Sequence, residues 1–190
     1  LLGSHTLRIH WNDREGEPFA KELRIVRVFR QPDDTMLIEF ETLLRTEREK
    51  VILDGDRQHA GVQFRAAQYV ADHEKETRYL RPKAWADLPP DQQINTPEHK
   101  NLPWNAAKFS VENQKYTVAY ITHPRNPSDA FFSERLYGRF GEFFRYELTP
   151  DNPLHAQYRW WIAASHDVDR NQIESRHHDF AHPPEVKLKK

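Results

Sequence analysis

Apolar and polar residues alternate along most of this chain, which is the period-two pattern of β-strands. Near the start, Leu7, Ile9 and Trp11 alternate with polar residues, and residues 19–30 and 36–46 continue the pattern after turn-forming stretches. Side chains two apart on a strand share a face, so each segment has one apolar face. We therefore predict a meander of three antiparallel strands.

The remainder of the chain predicts more short strands, separated by irregular segments. The strands are expected at residues 50–53, 59–70, 77–81, 104–112, 115–122, 137–148, 154–163 and 185–190. Five prolines make residues 82–103 a long loop, which we expect to form a flap over one end of the sheet. Residues 113–114 predict a two-residue hairpin turn. One helix is predicted at residues 167–180, capped by Ser165 or Asp167.

Helices do not alternate with the predicted strands, so a doubly wound α/β fold does not fit. The pattern favours an all-β fold, an antiparallel β-sandwich with one short C-terminal helix. The length of 190 residues favours a single domain over residues 1–190.

Composition narrows the functional classes. Basic and acidic residues number 28 and 29, so we expect no nucleic-acid partner, which would need a basic excess. No run of 18 apolar residues occurs, and we expect no membrane partner. The absence of cysteine excludes disulfides, thiolate catalysis and Cys-ligated zinc. The first residue is not Met and no signal peptide is visible, which is typical of a fragment or a processed product. The sequence leaves the oligomeric state open.

The first candidate site lies in residues 59–66. His59, Gln63 and Arg65 share one face of the predicted strand, while Val62 and Phe64 share the other. Imidazole transfers protons near neutral pH, and guanidinium binds carboxylates or stabilises negative charge. The alternative is a polar strand face that only meets water.

The second candidate site is the polar cluster of residues 134–139. Arg135, Tyr137 and Arg139 share a face if the chain is extended, and Glu134 adds a carboxylate. Two guanidiniums beside a phenol can hold a carboxylate, a phosphate or sugar hydroxyls. Ion pairs among Glu134, Glu142 and the arginines are the alternative interpretation.

Three further residues are candidates. His123 ends a predicted strand and enters a loop, where β-sandwiches often place ligand-binding residues. Asn105 shares a face with Phe109, which predicts a buried amide, either for substrate binding or for bracing a loop. Trp104 can stack on a sugar ring, although core packing is the commoner role of tryptophan.

A metal site is a separate hypothesis, because imidazole suits several transition metals and the chain has 11 histidines. No HExxH or His-x-His motif is present. His59 and His123 could hold a metal with a carboxylate if their strands are neighbours. The sequence leaves the cofactor undetermined, with a metal ion as one option.

Five ordered motifs resemble the bacterial PmoA-like family of unknown function. They are residues 56–66 (DRQHAGVQFRA), 100–106 (KNLPWNA), 116–127 (YTVAYITHPRNP), 132–141 (FSERLYGRFG) and 147–150 (ELTP). The resemblance implies a β-sandwich similar to galactose mutarotase-like supersandwiches. It also implies a missing N-terminal portion, which carries a His-rich motif in relatives. The methane-oxygenase label of that family does not fit a chain without a membrane span.

Relatives in that family look exported or periplasmic and occur in carbohydrate-degrading bacteria, whereas the residues themselves are also compatible with the cytosol. By analogy, we expect a small-molecule or glycan ligand. The leading hypothesis is a carbohydrate-active enzyme, a hydrolase, lyase or epimerase, with His59 or His123 as acid/base and with Arg65, Arg135 and Arg139 holding the substrate. A non-catalytic carbohydrate-binding sandwich is the second hypothesis. A metal-dependent hydrolase of esters or phosphoesters is the third.

Overall fold

A computed structural model describes residues 2–31, 35–56, 59–96 and 98–183. The strands are β1 Gly3–Asn12, β2 Pro18–Arg30, β3 Met36–Arg45, β4 Val51–Leu53, β5 Val62–Arg65, β6 Arg78–Leu80, β7 Trp104–Val111, β8 Gln114–Thr122, β9 Phe131–Arg135, β10 Arg139–Phe143, β11 Tyr146–Leu148 and β12 Leu154–Ala163. The α-helices are α1 Gln68–Asp72 and α2 Arg170–Ala181, and single 3-10 turns span Glu74–Glu76 and Lys83–Trp85.

The strands form one large and two small antiparallel sheets. The large sheet has the order β1-β2-β3-β12-β8-β7-β6, and it contains the predicted meander β1-β2-β3. A three-stranded sheet has the order β5-β10-β9, and β11 pairs with β4. The prediction of an antiparallel, all-β sandwich with a C-terminal helix is confirmed. Among the described residues, no helix has the length and apolar character needed to cross a membrane.

Both faces of the large sheet are covered at its central strands β8 and β12. On one face, Tyr120 packs against Phe132 and Phe140 of the three-stranded sheet, with ring centres 5.4 and 6.2 Å apart. On the other face, Trp161 packs in a cluster with Ile173 and Phe180 of α2. Successive side chains of β12 therefore pack alternately into two hydrophobic cores. The small sheets and α2 lie on opposite sides of the large sheet.

Two predicted strands are wrong in extent. Residues 59–70 hold only the four-residue strand β5, because a turn closed by the His59 amide and the Asp56 carbonyl precedes it and α1 follows it. Residues 137–148 form two strands, β10 and β11, in different sheets. The sequence prediction also missed α1, whose five residues are too short to show helical periodicity.

Two predicted boundaries also need correction. Helix α2 is capped by Asp169, whose side chain accepts a hydrogen bond from the Gln172 amide while the Gln172 side chain accepts one from the Asp169 amide. This capping box replaces the predicted caps Ser165 and Asp167. The β7–β8 turn is at Glu112 and Asn113, one residue earlier than predicted. The turn at residues 32–34 and the strand at 185–190 lie outside the described residues.

The proline-rich loop packs along β9 and does not form a flap over the end of the sheet. The Glu134 amide donates to the Ile94 carbonyl, and the Phe132 amide donates to the His99 carbonyl. Ile94 and Leu102 are buried in the hydrophobic core. The loop therefore extends the three-stranded sheet at its β9 edge, where it helps to fix the position of that strand.

Candidate functional site

Three arginines lie side by side across the three-stranded sheet. Arg139 of β10 is the direct cross-strand partner of Arg65 on β5 and of Arg135 on β9. Directly opposed residues in an antiparallel pair share a face and have Cβ atoms about 4.5–5.5 Å apart. The three side chains therefore start from one face, opposite to the face that packs on the large sheet.

A tight hairpin brings Arg135 and Arg139 together. Residues 136–138 connect β9 to β10, and Gly138 has a φ of 80°, which favours glycine. A Cβ atom on Gly138 would lie 2.7 Å from the Cβ of Ala66. The prediction that Arg135, Tyr137 and Arg139 share one extended strand is thus wrong in its backbone, but the hairpin still places the two arginines together, with Tyr137 in the turn between them.

Arg139 is a buried cation without an anion. Its side chain is only 4% exposed, and its Nε donates a 3.0 Å hydrogen bond to the Tyr137 hydroxyl. The two terminal nitrogens of the guanidinium are buried and have no hydrogen-bond partner. The guanidinium carbons of Arg139 and Arg65 each lie 5.9 Å from the centre of the Tyr137 ring. Across the described ranges, no carboxylate forms an ion pair with Arg65, Arg135 or Arg139.

Two more polar side chains lie next to the arginines, at the level of Gly141, which is two residues after Arg139 on β10. Gln63 and Ser133 both oppose Gly141, so they share the face of the arginines. Gln63 donates from Nε2 to the Ala60 carbonyl at 3.1 Å, while its Oε1 and the Ser133 Oγ are buried without partners. A Cβ on Gly141 would lie 2.3 Å from the Val62 carbonyl oxygen, so only glycine permits this close pairing of β5 and β10.

Six residues form this surface, the arginine face. They are Gln63, Arg65, Ser133, Arg135, Tyr137 and Arg139. Five of them are candidates from the sequence, and Ser133 is the addition. The sequence signal for Ser133 is its spacing of two from Arg135 on one strand.

Glu134 and Asn105 lie on the opposite side of β9. Glu134 is fully buried and forms a two-point ion pair with Arg81, with distances of 3.0 and 2.6 Å. It also accepts hydrogen bonds from the Asn105 side chain and from the Ile94 amide. Burial raises the pKa of Glu134, and the Arg81 guanidinium is the strongest of the groups that oppose this rise. This network joins the large sheet, β9 and the proline-rich loop, which matches the loop-bracing interpretation of Asn105.

His59 does not share the arginine face, contrary to the prediction from strand alternation. It lies in the turn before β5 and is well exposed, with its Nδ1 3.4 Å from the Asp56 carboxylate. Because β5 begins only at Val62, the period-two rule does not extend back to His59. Arg65 is at the other end of β5.

Trp104 is completely buried in the core beneath α2, so its ring packs there and has no exposed surface for a sugar. His123 is also buried, at the end of β8. Its Nδ1 accepts a hydrogen bond from the Arg125 amide at 3.1 Å, and its ring meets the Phe180 ring edge-on at 5.0 Å. Burial, aided by the charge of Arg125, lowers the pKa of His123.

His123 borders a cavity that also contains Glu142, on the inner side of β10. The sequence interpretation named Glu142 only as an ion-pair partner. Its position two residues after Phe140, on the apolar face of the strand, is the signal that could have identified a buried carboxyl. Burial raises the pKa of Glu142 to about 7.

The proposed pairing of His59 with His123 at a metal is not supported. β5 and β8 belong to different sheets, and His59 precedes β5 in an exposed turn. Over residues 2–31, 35–56, 59–96 and 98–183, no group of three or more His, Asp or Glu side chains is arranged to hold a metal ion.

Comparison with known proteins places the chain in a family but attaches no activity to it. No curated protein matches the chain. A model described as a family of unknown function, DUF6807, matches residues 2–178, which include all strands and most of α2. The chain therefore belongs to the DUF6807 family of unknown function.

Proposed function

We propose that this protein binds a carboxylate-bearing carbohydrate at the arginine face. The observation that carries the proposal is Arg139, a buried guanidinium whose two terminal nitrogens have no partner. Arg65 and Arg135 flank it directly across the sheet.

Without a ligand, this arrangement is unfavourable. Like charges directly opposite one another in a sheet destabilise it, by up to about 1 kcal/mol per pair. Each buried polar group without a hydrogen bond costs roughly 1–3 kcal/mol, and charged groups cost more. An anion would reverse both effects, and the planar fork of guanidinium matches a carboxylate with two parallel hydrogen bonds.

The carbohydrate part of the proposal has two supports. Gln63 Oε1 and Ser133 Oγ are unpartnered next to the arginines, and a sugar bearing hydroxyls beside a carboxylate could satisfy both kinds of group. The resemblance to the PmoA-like family and to galactose mutarotase-like sandwiches points to the same ligand class by analogy.

The ligand would enter beside Arg65, which is exposed, and beside the half-buried Tyr137. Tyr137 lies in the hairpin turn, where rotation of its ring disturbs no strand pairing. Such a rotation would break the hydrogen bond between the Tyr137 hydroxyl and Arg139 Nε and would expose the guanidinium to the carboxylate.

Isothermal titration calorimetry tests the proposal with glucuronate, galacturonate and their short oligosaccharides, against glucose and galactose. We expect the acidic sugars to bind, with an affinity that falls as salt is added. Arg139→Gln should weaken this binding about tenfold or more, since a charged hydrogen bond is worth roughly 1.5–3 kcal/mol. Arg145→Gln is the matched control, because Arg145 is an exposed arginine 3.5 Å from Asp54 and outside the arginine face. No binding of the acidic sugars by the wild-type protein, or equal effects of Arg139→Gln and Arg145→Gln on their binding, would refute the proposal.

A lyase acting on acidic polysaccharides is a second candidate, favoured by the 3.0 Å hydrogen bond between Tyr137 and Arg139. The arginines would neutralise the uronate carboxylate, and the deprotonated Tyr137 oxygen would take the C5 proton. The electron pair of the C5–H bond would form the C4=C5 double bond as the C4–O bond breaks, and the Tyr137 hydroxyl would return its proton to the leaving glycosidic oxygen. The ultraviolet absorbance of the unsaturated product tests this reaction, and its absence in both wild type and Tyr137→Phe would leave a binding module.

A further inference from the structure

A cavity lies at the end of the sandwich, on the other side of the three-stranded sheet from the arginine face. Its volume is about 290 Å³, just below the range of roughly 300–1,000 Å³ that is usual for ligand pockets. Its wall is formed by the end of β8, the loop that follows β8, residues 101–103 and α2. The polar side chains of the lining belong to Asn101, Thr122, His123, Asn126, Ser128, Glu142 and His177.

Glu142 is the buried carboxyl of this cavity. Its side chain has no solvent exposure, and Oε2 accepts one hydrogen bond, from Thr122 Oγ1 at 3.1 Å. Oε1 has no hydrogen bond of acceptable geometry, although the Tyr158 hydroxyl and the Asn126 amide lie close enough to lower the pKa against the effect of burial. No ion pair to Glu142 is found in the described part of the chain. A carboxyl group that can accept about four hydrogen bonds therefore retains unused capacity at Oε1.

His123 and His177 supply complementary groups. Because His123 Nδ1 accepts from the Arg125 amide, a neutral His123 carries its proton on Nε2 and can donate from there. Burial lowers the pKa of both His123 and His177, which favours the neutral form of both rings, and it raises the pKa of Glu142 to about 7, which favours the protonated carboxyl below that pH. In that pH range the cavity combines unused hydrogen-bonding capacity with little net charge.

We propose that this cavity binds a small, neutral, hydroxyl-rich molecule of about monosaccharide size, with hydrogen bonds to Glu142 Oε1 and to the His123 ring. The small volume excludes an oligosaccharide from the interior. We expect a neutral ligand because burial keeps the Glu142 carboxyl protonated below about pH 7 and favours the neutral form of both imidazole rings. A charged ligand would then be buried without a counter-charge. Because the arginine face is on the opposite side of β10, this site is independent of the function proposed above.

Saturation-transfer NMR with glucose, galactose and glycerol at about 10 mM tests the inference, since a probe with a Kd of about 1 mM would then nearly saturate the site. Ser128 is exposed and lines the cavity, so Ser128→Trp should block it without disturbing the core. Ser175→Trp is the matched control, at an exposed position on α2 outside this cavity.

We expect Ser128→Trp to weaken binding of at least one probe tenfold or more, by blocking access, while Ser175→Trp and Arg139→Gln leave it unchanged. Glu142→Gln makes the side chain neutral at every pH and alters its donors and acceptors, and we expect a loss of about tenfold, the value of one hydrogen bond. No binding of any of the three probes to the wild-type protein would overturn the inference, as would binding that both Ser128→Trp and Glu142→Gln leave intact. Loss of uronate binding in Arg139→Gln is a separate readout for the arginine face.

Discussion

Arg81 and Arg139, the two buried arginines among the described residues, should respond in opposite ways to the same substitution. Arg81 is 2% exposed and Arg139 is 4% exposed, so both lose their water on folding. Arg81 regains its interactions through the two-point ion pair with Glu134 and through backbone carbonyls that include Pro89 at 3.1 Å. Arg139 regains only one hydrogen bond, to the Tyr137 hydroxyl.

The magnitudes follow from these partners. Arg81→Met leaves Glu134 buried without its counter-charge, and breaking a buried pair from one side costs about 3–5 kcal/mol. Arg139→Met removes a buried charge with two unsatisfied nitrogens, and its loss is one hydrogen bond worth about 1 kcal/mol. Replacing an uncompensated buried charge with an apolar group of similar length is neutral or stabilising, here by about 0–3 kcal/mol.

Urea denaturation without ligand measures the free energy of unfolding of the wild-type protein and of both variants. Equal m-values would show that unfolding exposes the same surface in each. By heat, about 1 kcal/mol shifts Tm by roughly 2–4 °C in a chain of this size. Arg81→Met should thus lower Tm by roughly 6–20 °C, and Arg139→Met should leave it unchanged or raise it. Uronate should then stabilise the wild-type protein but not Arg139→Met, since ligand binds only the native state.

An Arg139→Met variant as destabilised as Arg81→Met would contradict this prediction. That result would mean that Arg139 already has a strong partner in the folded protein. It would remove the observation on which the proposed anion site depends.

Three further predictions concern single positions. Gly141→Ala should destabilise the fold by about 2 kcal/mol or more in urea denaturation, because its Cβ would lie 2.3 Å from the β5 backbone. Gly3→Ala is the control and should be neutral, because a Cβ there would have no atom within 4 Å. Asp169→Ala should cost about 1 kcal/mol through loss of the α2 cap, whereas Asp167→Ala should cost less than about 0.5 kcal/mol; equal costs would contradict the cap assignment. Burial raises the pKa of Glu142 from 4.5 to about 7, so the unfolded state loses that proton first and stability falls between about pH 4.5 and 7. Glu142→Gln should remove this fall, a gain on the order of 3 kcal/mol above pH 7 that should be absent below pH 4 in the same denaturation assay.

The sequence predicts the sheet content well because hydrophobic alternation is a local signal. Residues 154–163, predicted as one strand, match β12 at both ends. Alternation fails to predict the structure where tertiary packing determines the backbone conformation. The stretch of residues 59–70 keeps a strand-like pattern but holds a turn, β5 and α1. The pairing of strands into sheets depends on contacts distant in sequence, and alternation carries no information about it.

The candidate site was predicted in part, and for a mixed set of reasons. Gln63 and Arg65 share a face because β5 is a strand, as alternation requires. Arg135 and Arg139 come together through a hairpin that the pattern did not show. The absence of an anion near Arg139 is not visible in a sequence at all, because it depends on which carboxylates the fold brings close. Glu142 and Glu134 are the nearest carboxylates in sequence, but Glu142 lies on the other face of β10 and Glu134 is paired with Arg81.

The alternation of β10 also decides which chemistry the two sites can share. Arg139 and Glu142 are three residues apart on this strand, so they start from opposite faces and about 10 Å apart along it. A proton-transfer group near Glu142, such as His123, therefore cannot reach a ligand held by the arginines while β10 lies between them. A single active site that combines His123 with Arg65, Arg135 and Arg139 does not fit this fold. If the arginine face is catalytic, its proton-transfer group has to lie on the same face of the sheet. Tyr137, whose hydroxyl accepts a 3.0 Å hydrogen bond from Arg139 Nε, is the residue in position to transfer the proton.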